Sequence, residues 1–312
     1  MKHADSKPGV TSREDTDPHE VAHLPASNAG ETSVPRVCIG QLIERYDAVL
    51  FDAYGVLVHS DGALPGASET IATLNSKRKP YAIVTNDASK LPDTAAKRYQ
   101  GFGLDIPSER ILSSGMLLRD YFERHGLHGA ACTVLGTDGS RHFVEQAGGT
   151  VVPATEACDV LVIGDENGFS FVETVDAALS SLFRAIDQGR KVRLVVPNPD
   201  LIFPHGHGGF GIAAGSVALI FEAALQRRYP ERDDLIFDRL GKPQPDLYHS
   251  AISMLGARNA VMIGDQLETD IAGAVASGID SVLIATGVAH VDKSVPVSGI
   301  RPTYWMPSLL QD

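Results

Sequence analysis

Residues 46–57 of this 312-residue chain are YDAVLFDAYGVL. The apolar run 48–51 predicts a buried parallel strand, and Asp52 follows directly at its end. Because ligands of open α/β sheets bind at the carboxyl ends of strands, Asp52 lies where chemistry is expected. Gly55 then allows a sharp turn beneath a docked ligand. A lone Asp-x-x-Gly is also typical of an ordinary turn, so the functional interpretation depends on stretches further along the chain.

The overall charge of the chain limits the choice of partners. Its formal net charge of -12 at pH 7 disfavours nucleic acid and anionic membrane surfaces. An anionic substrate would therefore need a locally positive site, supplied by a metal ion or by a few basic residues. The hydrophobic content of 43% is enough for a sizeable core.

The cysteines and the apolar runs indicate a compartment. Cys38, Cys132 and Cys158 have no metal-ligand spacing, and their odd number does not indicate a disulfide framework. They are typical of small core residues in a reducing compartment. No apolar run reaches membrane-spanning length, and no basic-then-apolar signal opens the chain. We therefore expect a cytoplasmic protein that has neither nucleic acid nor membrane as a partner.

The pattern of apolar runs divides the chain into a tail and two α/β regions. Residues 1–35 are polar and are expected to be disordered, because they cannot bury enough apolar surface to become ordered. Strand-like and helix-like segments alternate over 36–128 and resume over 235–312. Residues 129–234 carry strands and an amphipathic helix of their own. This order predicts a core domain with a parallel sheet, interrupted by an inserted α/β domain over 129–234.

Three local features are predicted within this pattern. Ser68 is expected to be the N-cap of a helix that runs to about Arg78. Residues 235–237 are a candidate strand at the return to the core domain. Asp87 is interpreted as a helix-capping acid rather than as a substrate contact.

Polar residues at the ends of the predicted core strands indicate one shared site. Asp52, Thr85, Lys242 and the Asp265/Asp270 pair follow apolar runs or lie between them. If those strands belong to one parallel sheet, their ends converge on one crevice. Phosphoryl transfer needs such a set, with Asp52 as the nucleophile that forms an aspartyl-phosphate. Thr85 would hold phosphate oxygens, and Lys242 would neutralise the negative charge.

The carboxylates of this set indicate a magnesium ion. Asp265, a carboxylate oxygen of Asp52 and the Tyr54 carbonyl would bind Mg²⁺, a hard cation that prefers oxygen ligands. Asp270 would orient a metal-bound water or Lys242. Without a divalent cation, an anionic substrate would meet three carboxylates and one lysine, which is strongly repulsive in a partly desolvated cleft.

Four short motifs carry a resemblance to a known family. The motifs DAYGV at 52–56, TN at 85–86, GKP at 241–243 and GD-x4-D at 264–270 resemble those of the haloacid dehalogenase superfamily, in the family's order. The insertion between the second and third motifs resembles the class IIA branch of sugar, pyridoxal and nitrophenyl phosphatases. The resemblance implies a three-layer core, a cap domain that closes over the site, Mg²⁺ and a small phosphorylated metabolite as substrate.

The same resemblance implies further residues of the site. In the class IIA branch, the segment after Asn-x-Asp, which is 198–200 in this chain, helps to choose the substrate, and Asn86 belongs to the second motif. At the matching positions of this chain, Asn86, Asp200, Phe203 and His205 become candidate substrate-binding residues, together with Tyr54 next to the nucleophile. A homodimer formed through the cap is a further expectation.

Tyr54 is the main departure from the family pattern. Most phosphatases of the superfamily carry a second Asp there, which serves as the general acid and base, and a phenol is a poor base at neutral pH. Haloacid dehalogenases resemble this chain in having Asp-x-Tyr-Gly, because a halide leaves without a proton. Three hypotheses therefore remain open: a Mg²⁺-dependent phosphatase, a metal-independent dehalogenase, and a phospholigand-binding protein whose catalysis is impaired.

Overall fold

The computed structural model of the protein describes residues 34–204, 209–288 and 300–310. Residues 1–33 of the predicted tail lie outside the described residues, and so does His205. The end of the predicted tail belongs to the folded part, because the Pro35 carbonyl accepts a hydrogen bond from the Trp305 backbone N–H at 3.1 Å.

The first sheet is parallel throughout its described strands. With strands and helices numbered in chain order, its spatial order is β15 (Tyr304–Met306), β14 (Asp280–Ile284), β13 (Ala260–Gly264), β1 (Ala48–Phe51), β4 (Tyr81–Thr85) and β5 (Ile111–Ser113). All four residues of β1 are buried, as expected for a central strand covered on both faces. Thus β1 lies between β13 and β4, the two strands that carry the other motifs.

A second parallel sheet is formed by the residues between the second and third motifs. Its order is β12 (Asp238–Arg239), β9 (Arg193–Val196), β8 (Val160–Ile163), β6 (Ala131–Leu135) and β7 (Thr150–Val152). Two short antiparallel hairpins accompany the sheets: β2 (Val58–His59) with β3 (Gly62–Ala63), and β10 (Ile202–Pro204) with β11 (Phe210–Ile212).

Helices cover both faces of each sheet. They are α1 (Ile39–Arg45), α2 (Ala67–Ser76), α3 (Pro92–Gly101), α4 (Leu117–His125), α5 (Asp138–Gln146), α6 (Phe171–Asp187), α7 (Ala214–Arg228), α8 (Asp246–Leu255) and α9 (Ala272–Ala276). Apolar residues of α1 to α3 pack on one face of the first sheet, and those of α4 and α8 pack on the other. The core is therefore a three-layer α/β structure, and α6 and α7 cover the outer face of the second sheet.

Three local predictions are wrong. Residues 235–237 are not a strand; the strand is the next pair, β12, and it joins the second sheet rather than the first. Leu235 and Phe237 are apolar because they are buried against α6 and α7, which is a packing role that periodicity cannot separate from a strand. The N-cap of α2 is Gly66 and not Ser68, which lies inside the helix.

Asp87 caps a turn and not a helix. Its Oδ1 accepts hydrogen bonds from the backbone N–H and the hydroxyl of Ser89, whereas α3 has Leu91 as its N-cap. Short acidic side chains favour both kinds of cap for the same reason, since each bonds to nearby backbone N–H groups.

The predicted α/β class with an inserted domain agrees with the two sheets. The boundaries of that domain stay a prediction, and β12 extends the second sheet past residue 234. Within the described residues, no helix is both long enough and apolar enough to span a membrane.

Candidate active site

The residues predicted from the strand ends do lie together. Asp52 follows β1, Thr85 ends β4, and Asp265 follows β13, so three adjacent parallel strands deliver their polar residues to one edge of the sheet. All three side chains are buried. The structure thus brings together groups that are far apart in the sequence.

Lys242 joins two carboxylates of this cluster. Its Nζ donates to Asp52 Oδ1 at 2.6 Å and to Asp270 Oδ1 at 2.7 Å. The lysine is only 2% exposed, so both ion pairs are shielded from water. A buried ammonium held between two carboxylates is a strongly positioned charge, because each group would be costly to bury alone.

Asn86 holds the lysine segment in place. Its Oδ1 accepts from the Lys242 backbone N–H at 2.7 Å, and its Nδ2 donates to Asp200 Oδ1 at 2.8 Å and to the Lys242 carbonyl at 3.2 Å. The amide is therefore fully occupied by protein groups and does not line the cavity described below. Asn86 thus links β4, Lys242 and Asp200, and its contact with substrate stays a prediction.

Asp265 and Asp270 form the acidic side of the cluster. Asp270 Oδ2 accepts from the backbone N–H groups of Asp265 and Gln266, at 3.0 and 3.1 Å. Asp265 Oδ2 accepts from the Val288 N–H at 2.7 Å, whereas its buried Oδ1 has no hydrogen-bond partner within the described part of the chain. Gly55 has a φ of +81°, and a Cβ there would lie 2.4 Å from Asp265 Oδ2, so the predicted turn needs glycine for its conformation and for space.

Burial and like charge raise the pKa values of these carboxyls. Burial raises the pKa of Asp52 to about 7; Lys242 opposes this shift and Asp270 adds to it. Burial, followed by the charges of Asp270 and Asp52, raises the pKa of Asp265 well above its usual range. Burial disfavours the charged form of Lys242, but Asp270 and Asp52 raise its pKa well above the ordinary lysine value.

This cluster fits a divalent cation. Ligand oxygens of Asp52, Asp265 and Asp270 lie within 4.8 Å of one another, and the only cation paired with them by an ion pair in the described residues is Lys242. The unpartnered Asp265 Oδ1 is the group that a cation would satisfy. Carboxylate oxygens are the ligands that Mg²⁺ and Ca²⁺ prefer.

A cavity of about 310 Å³ opens above Asp52 and Thr85. Tyr54, Asp200 and Phe203, which are candidate substrate-binding residues, line the same cavity as Asp52. The Tyr54 and Phe203 rings meet edge to face, with centroids 6.0 Å apart. A cavity of this size suits a small ligand.

The part of the cavity wall that follows strands of the second sheet, called the far wall below, is acidic. It was not predicted from the sequence. Asp165 and Glu166 follow β8, and Thr137 follows β6, so the second sheet also directs its strand ends at the cavity. Burial, then the charges of Asp165 and Asp87, raises the pKa of Glu166 to about 7. The rule that selected Asp52, an acid directly after an apolar strand, could have selected Asp165 and Glu166 too.

Comparison with known families identifies the class of protein. The chain matches the family model of haloacid dehalogenase-like hydrolases over residues 49–150 and a second, HAD-hydrolase-like model over residues 239–311. These two ranges contain Asp52, Thr85, Lys242 and the Asp265/Asp270 pair. The chain belongs to the haloacid dehalogenase superfamily of hydrolases, as its four motifs predict.

Two similar proteins are phosphatases by name. It is 28% identical to the dihydroxyacetone phosphatase of Corynebacterium glutamicum, over 83% of this chain and 88% of the relative. It is 28% identical to the ribonucleotide monophosphatase NagD of Escherichia coli, over 84% of this chain and 96% of the relative.

Solved structures give the same result. A "possible sugar phosphatase" of the HAD superfamily from Cytophaga hutchinsonii superposes with a TM-score of 0.78 at 29% identity, covering 90% of this chain and 100% of that one. The glycerol phosphate phosphatase of Mycobacterium tuberculosis, solved in complex with calcium, superposes with a TM-score of 0.69 at 25% identity, covering 86% and 75%.

Proposed function

We propose that this chain is a Mg²⁺-dependent hydrolase of small phosphate monoesters that works through an aspartyl-phosphate on Asp52. The observation that carries the proposal is the Lys242 ammonium, which is hydrogen-bonded at once to Asp270 and to Asp52, and Asp52 lines a small cavity. A carboxylate that is held by a fixed cation and faces a cavity is suited to attack an electrophilic phosphorus.

The other residues of the site have complementary roles in the proposal. Thr85 Oγ1 accepts a hydrogen bond from the Asp87 backbone N–H at 3.2 Å, which leaves its own O–H to donate to a phosphate oxygen. Lys242 offsets the charge of Asp52 and of the incoming phosphate, and Asp270 fixes the lysine.

Asp52, Asp265 and the Tyr54 carbonyl would hold the metal ion, as the sequence predicts. When bound, a divalent cation supplies positive charge that lets a phosphate dianion approach the carboxylates. The mycobacterial glycerol phosphate phosphatase was solved in complex with calcium, which supports the binding of a divalent cation by proteins of this fold.

The substrate class is supported by the cavity and by the relatives. A cavity of about 310 Å³ has room for a small metabolite. By their names, the relatives reported above act on dihydroxyacetone phosphate, ribonucleotide monophosphates or glycerol phosphate. A homodimer formed through the inserted domain and a cytoplasmic location stay predictions of the same proposal.

The variant Asp52→Asn tests the mechanism. With p-nitrophenyl phosphate and Mg²⁺, we expect the wild-type protein to release phosphate and the variant to release none, because an amide cannot form the acyl phosphate. Asp93→Asn, which changes an exposed carboxylate on α3, is the matched control and should retain activity. Full turnover by Asp52→Asn, with an unchanged melting temperature, would reject the proposal.

The same protein samples test the dehalogenase hypothesis, for which the Tyr54 side chain is the supporting feature. Removal of metal with a chelator should abolish phosphate release, and 2-haloacids should give no free halide under either condition. Halide release in the presence of chelator would instead establish metal-independent dehalogenation.

A further inference from the structure

Tyr54 has a basic partner that the sequence does not indicate. Arg98, on α3, donates a hydrogen bond from Nη1 to the Tyr54 phenol oxygen, and its guanidinium carbon lies 5.1 Å from the centroid of the Tyr54 ring. Tyr54 lines the cavity that Asp52 and Thr85 also line. Tyr54 is therefore placed between Arg98 of α3 and the space where a substrate would lie.

Arg98 is well positioned for this contact. Its guanidinium also lies 5.1 Å from the centroid of the Phe102 ring, so two aromatic rings enclose it. No carboxylate of residues 34–204, 209–288 or 300–310 forms an ion pair with it. Its hydrogen-bonding capacity is thus directed at a neutral phenol, which is an unusual use of a half-buried guanidinium.

The direction of this hydrogen bond matters for chemistry. A phenol has one O–H donor and an oxygen that accepts. Because Arg98 occupies an acceptor position of Tyr54, the Tyr54 proton remains available to a group in the cavity. The guanidinium also lies where it can offset negative charge that develops on the phenol oxygen as the proton is transferred.

Building on the proposed phosphatase reaction, we infer that Tyr54 is the general acid and base of this site, in the place of the family's second Asp, and that Arg98 is the residue that positions it. A further catalytic residue is thereby assigned to a position where the sequence departs from the family pattern and leaves three hypotheses open.

Tyr54 loses its proton in the first half-reaction and regains one in the second. As an Asp52 oxygen forms its bond to phosphorus, the bond from phosphorus to the leaving oxygen breaks, its electron pair stays on that oxygen, and the Tyr54 proton moves to it. The product alcohol departs and a phenolate remains beside Arg98. The phenolate then takes a proton from the water that attacks phosphorus, Asp52 is released as a carboxylate, and Tyr54 is neutral again.

The competing proton donors in the cavity are carboxyls. Burial raises the pKa of Asp200 to about 6 and that of Glu166 to about 7. Asp200 is tied to Asn86 by a hydrogen bond of 2.8 Å, and Glu166 lies on the far wall, on the loop after β8. Tyr54 is two residues from the nucleophile on the same loop, which favours it as the donor to the leaving oxygen.

The test compares esters whose leaving groups differ in acidity. Tyr54→Phe keeps the ring that packs on Phe203 and Arg98 and removes only the hydroxyl. We expect its kcat on glycerol phosphate, whose alkoxide needs a proton, to fall on the order of 10²–10⁴-fold. With p-nitrophenyl phosphate the first turnover should be nearly unchanged, giving a burst of nitrophenolate followed by slow turnover, because the water still lacks its base.

Arg98 is tested by two substitutions and one matched control. Arg98→Met should lower kcat on glycerol phosphate, by less than Tyr54→Phe does, with little change in KM. Arg98→Lys should restore part of that kcat. Arg110→Met is the control, because Arg110 lies 4.9 Å from the Tyr81 ring centroid, which is outside the cavity. That variant should leave the ratio of the two esters' rates unchanged.

The outcomes separate the two proposals. If the wild type hydrolyses both esters through Asp52 but Tyr54→Phe changes neither rate, or both by the same factor without a burst, the role of Tyr54 is overturned while the phosphatase stands. If Glu166→Gln or Asp200→Asn produces the burst pattern and Tyr54→Phe does not, the donor is that carboxyl. If the wild type hydrolyses no ester, the proposed function itself fails.

Discussion

At the scale of single residues, the Asp265 side chain shows how the site lowers the stability of the folded protein. It is fully buried, its Oδ1 lacks a partner in the described part of the chain, and two more carboxylates adjoin it. Natural proteins retain such unfavourable groups at functional sites at the expense of stability. Removing the charge should therefore stabilise the protein and weaken its function.

We expect Asp265→Asn to raise the unfolding free energy of the metal-free protein at pH 8 by about 1–3 kcal/mol, the range for an unsatisfied buried polar group. The new amide can still accept from the Val288 N–H, and its NH₂ can donate to Asp52 or Asp270. The same variant should lose the rise in melting temperature that Mg²⁺ gives the wild type, since the metal would lose a carboxylate ligand.

Chemical denaturation and thermal unfolding, each with and without Mg²⁺, measure both effects. The control is Glu268→Gln, because Glu268 is exposed and lies three residues further along the same turn. It should change stability by less than about 0.5 kcal/mol and keep the response to Mg²⁺. A destabilised Asp265→Asn that still responds to Mg²⁺ would contradict this account.

The residues of the cluster could be predicted, but the partner of Tyr54 could not. Asp52, Thr85 and Asp265 follow apolar runs, and sheet topology brings such positions together whatever the loops do. Arg98 lies on a helix 44 residues after Tyr54, and its direction is fixed by packing against Phe102. No spacing rule encodes that contact, because it depends on how α3 is seated on the sheet.

At the scale of elements, the loop after β8 gives the cavity a wall whose charge changes with pH. Glu166 lies there beside Asp165, and burial raises its pKa to about 7. It is therefore mostly neutral at pH 6 and mostly negative at pH 8. Asp165 and Asp87 push its pKa upward and Lys90 pushes it downward, so these are the charged neighbours that set the transition.

We expect KM for an anionic phosphate ester to rise between pH 6 and pH 8, because the substrate then meets one more negative charge. An interaction of about 1 kcal/mol, near the size of a solvated charge pair, corresponds to about fivefold in KM. Glu166→Gln should remove that part of the pH dependence and keep the part due to the substrate's own ionisation. The control is Glu156→Gln, an exposed acid before β8; equal KM ratios for wild type and Glu166→Gln would contradict the prediction.

The elements themselves were largely predictable, with an instructive exception. Apolar runs of four or five residues located β1, β4, β8 and β13, because a parallel strand that is buried on both faces consists almost entirely of apolar residues. Strands of two or three residues, such as β7 and β12, carry too few positions for any periodicity. Their place is decided by the neighbouring strands with which they pair.

At the scale of the whole molecule, the contact between α5 and the loop after β4 connects the two sheets next to the cavity. Thr137 Oγ1 donates to the Ser89 carbonyl at 2.5 Å, and Ser140 Oγ donates to the Ala88 carbonyl at 2.9 Å. Thr137 and Ser89 both line the cavity. The spacing of the two sheets at this point therefore sets the width of the substrate space.

Gly139 makes this close approach of backbone to backbone possible. A Cβ at this position would lie 2.2 Å from the Ser89 carbonyl oxygen and 3.1 Å from Lys90 Cα, and neither atom belongs to a flexible side chain. Gly139→Ala should therefore force α5 away from the loop and stretch both hydroxyl hydrogen bonds. We expect the unfolding free energy to fall by about 1–3 kcal/mol, as in other overpacked positions, and KM to rise while Asp52 keeps its lysine.

Gly40→Ala is a closely matched control, because both glycines are the second residue of a helix and neither has a positive φ. A Cβ at Gly40 would meet nothing within 4 Å, so alanine there should raise the unfolding free energy by about 0.4–1 kcal/mol through the unfolded chain. Denaturation curves should thus show a lower unfolding free energy for Gly139→Ala and a higher one for Gly40→Ala. KM should rise for Gly139→Ala and stay unchanged for Gly40→Ala. If Gly139→Ala is as stable and as active as Gly40→Ala, then the contact of α5 with Ser89 does not set the geometry of the cavity, and substrate binding is governed by the strand ends alone.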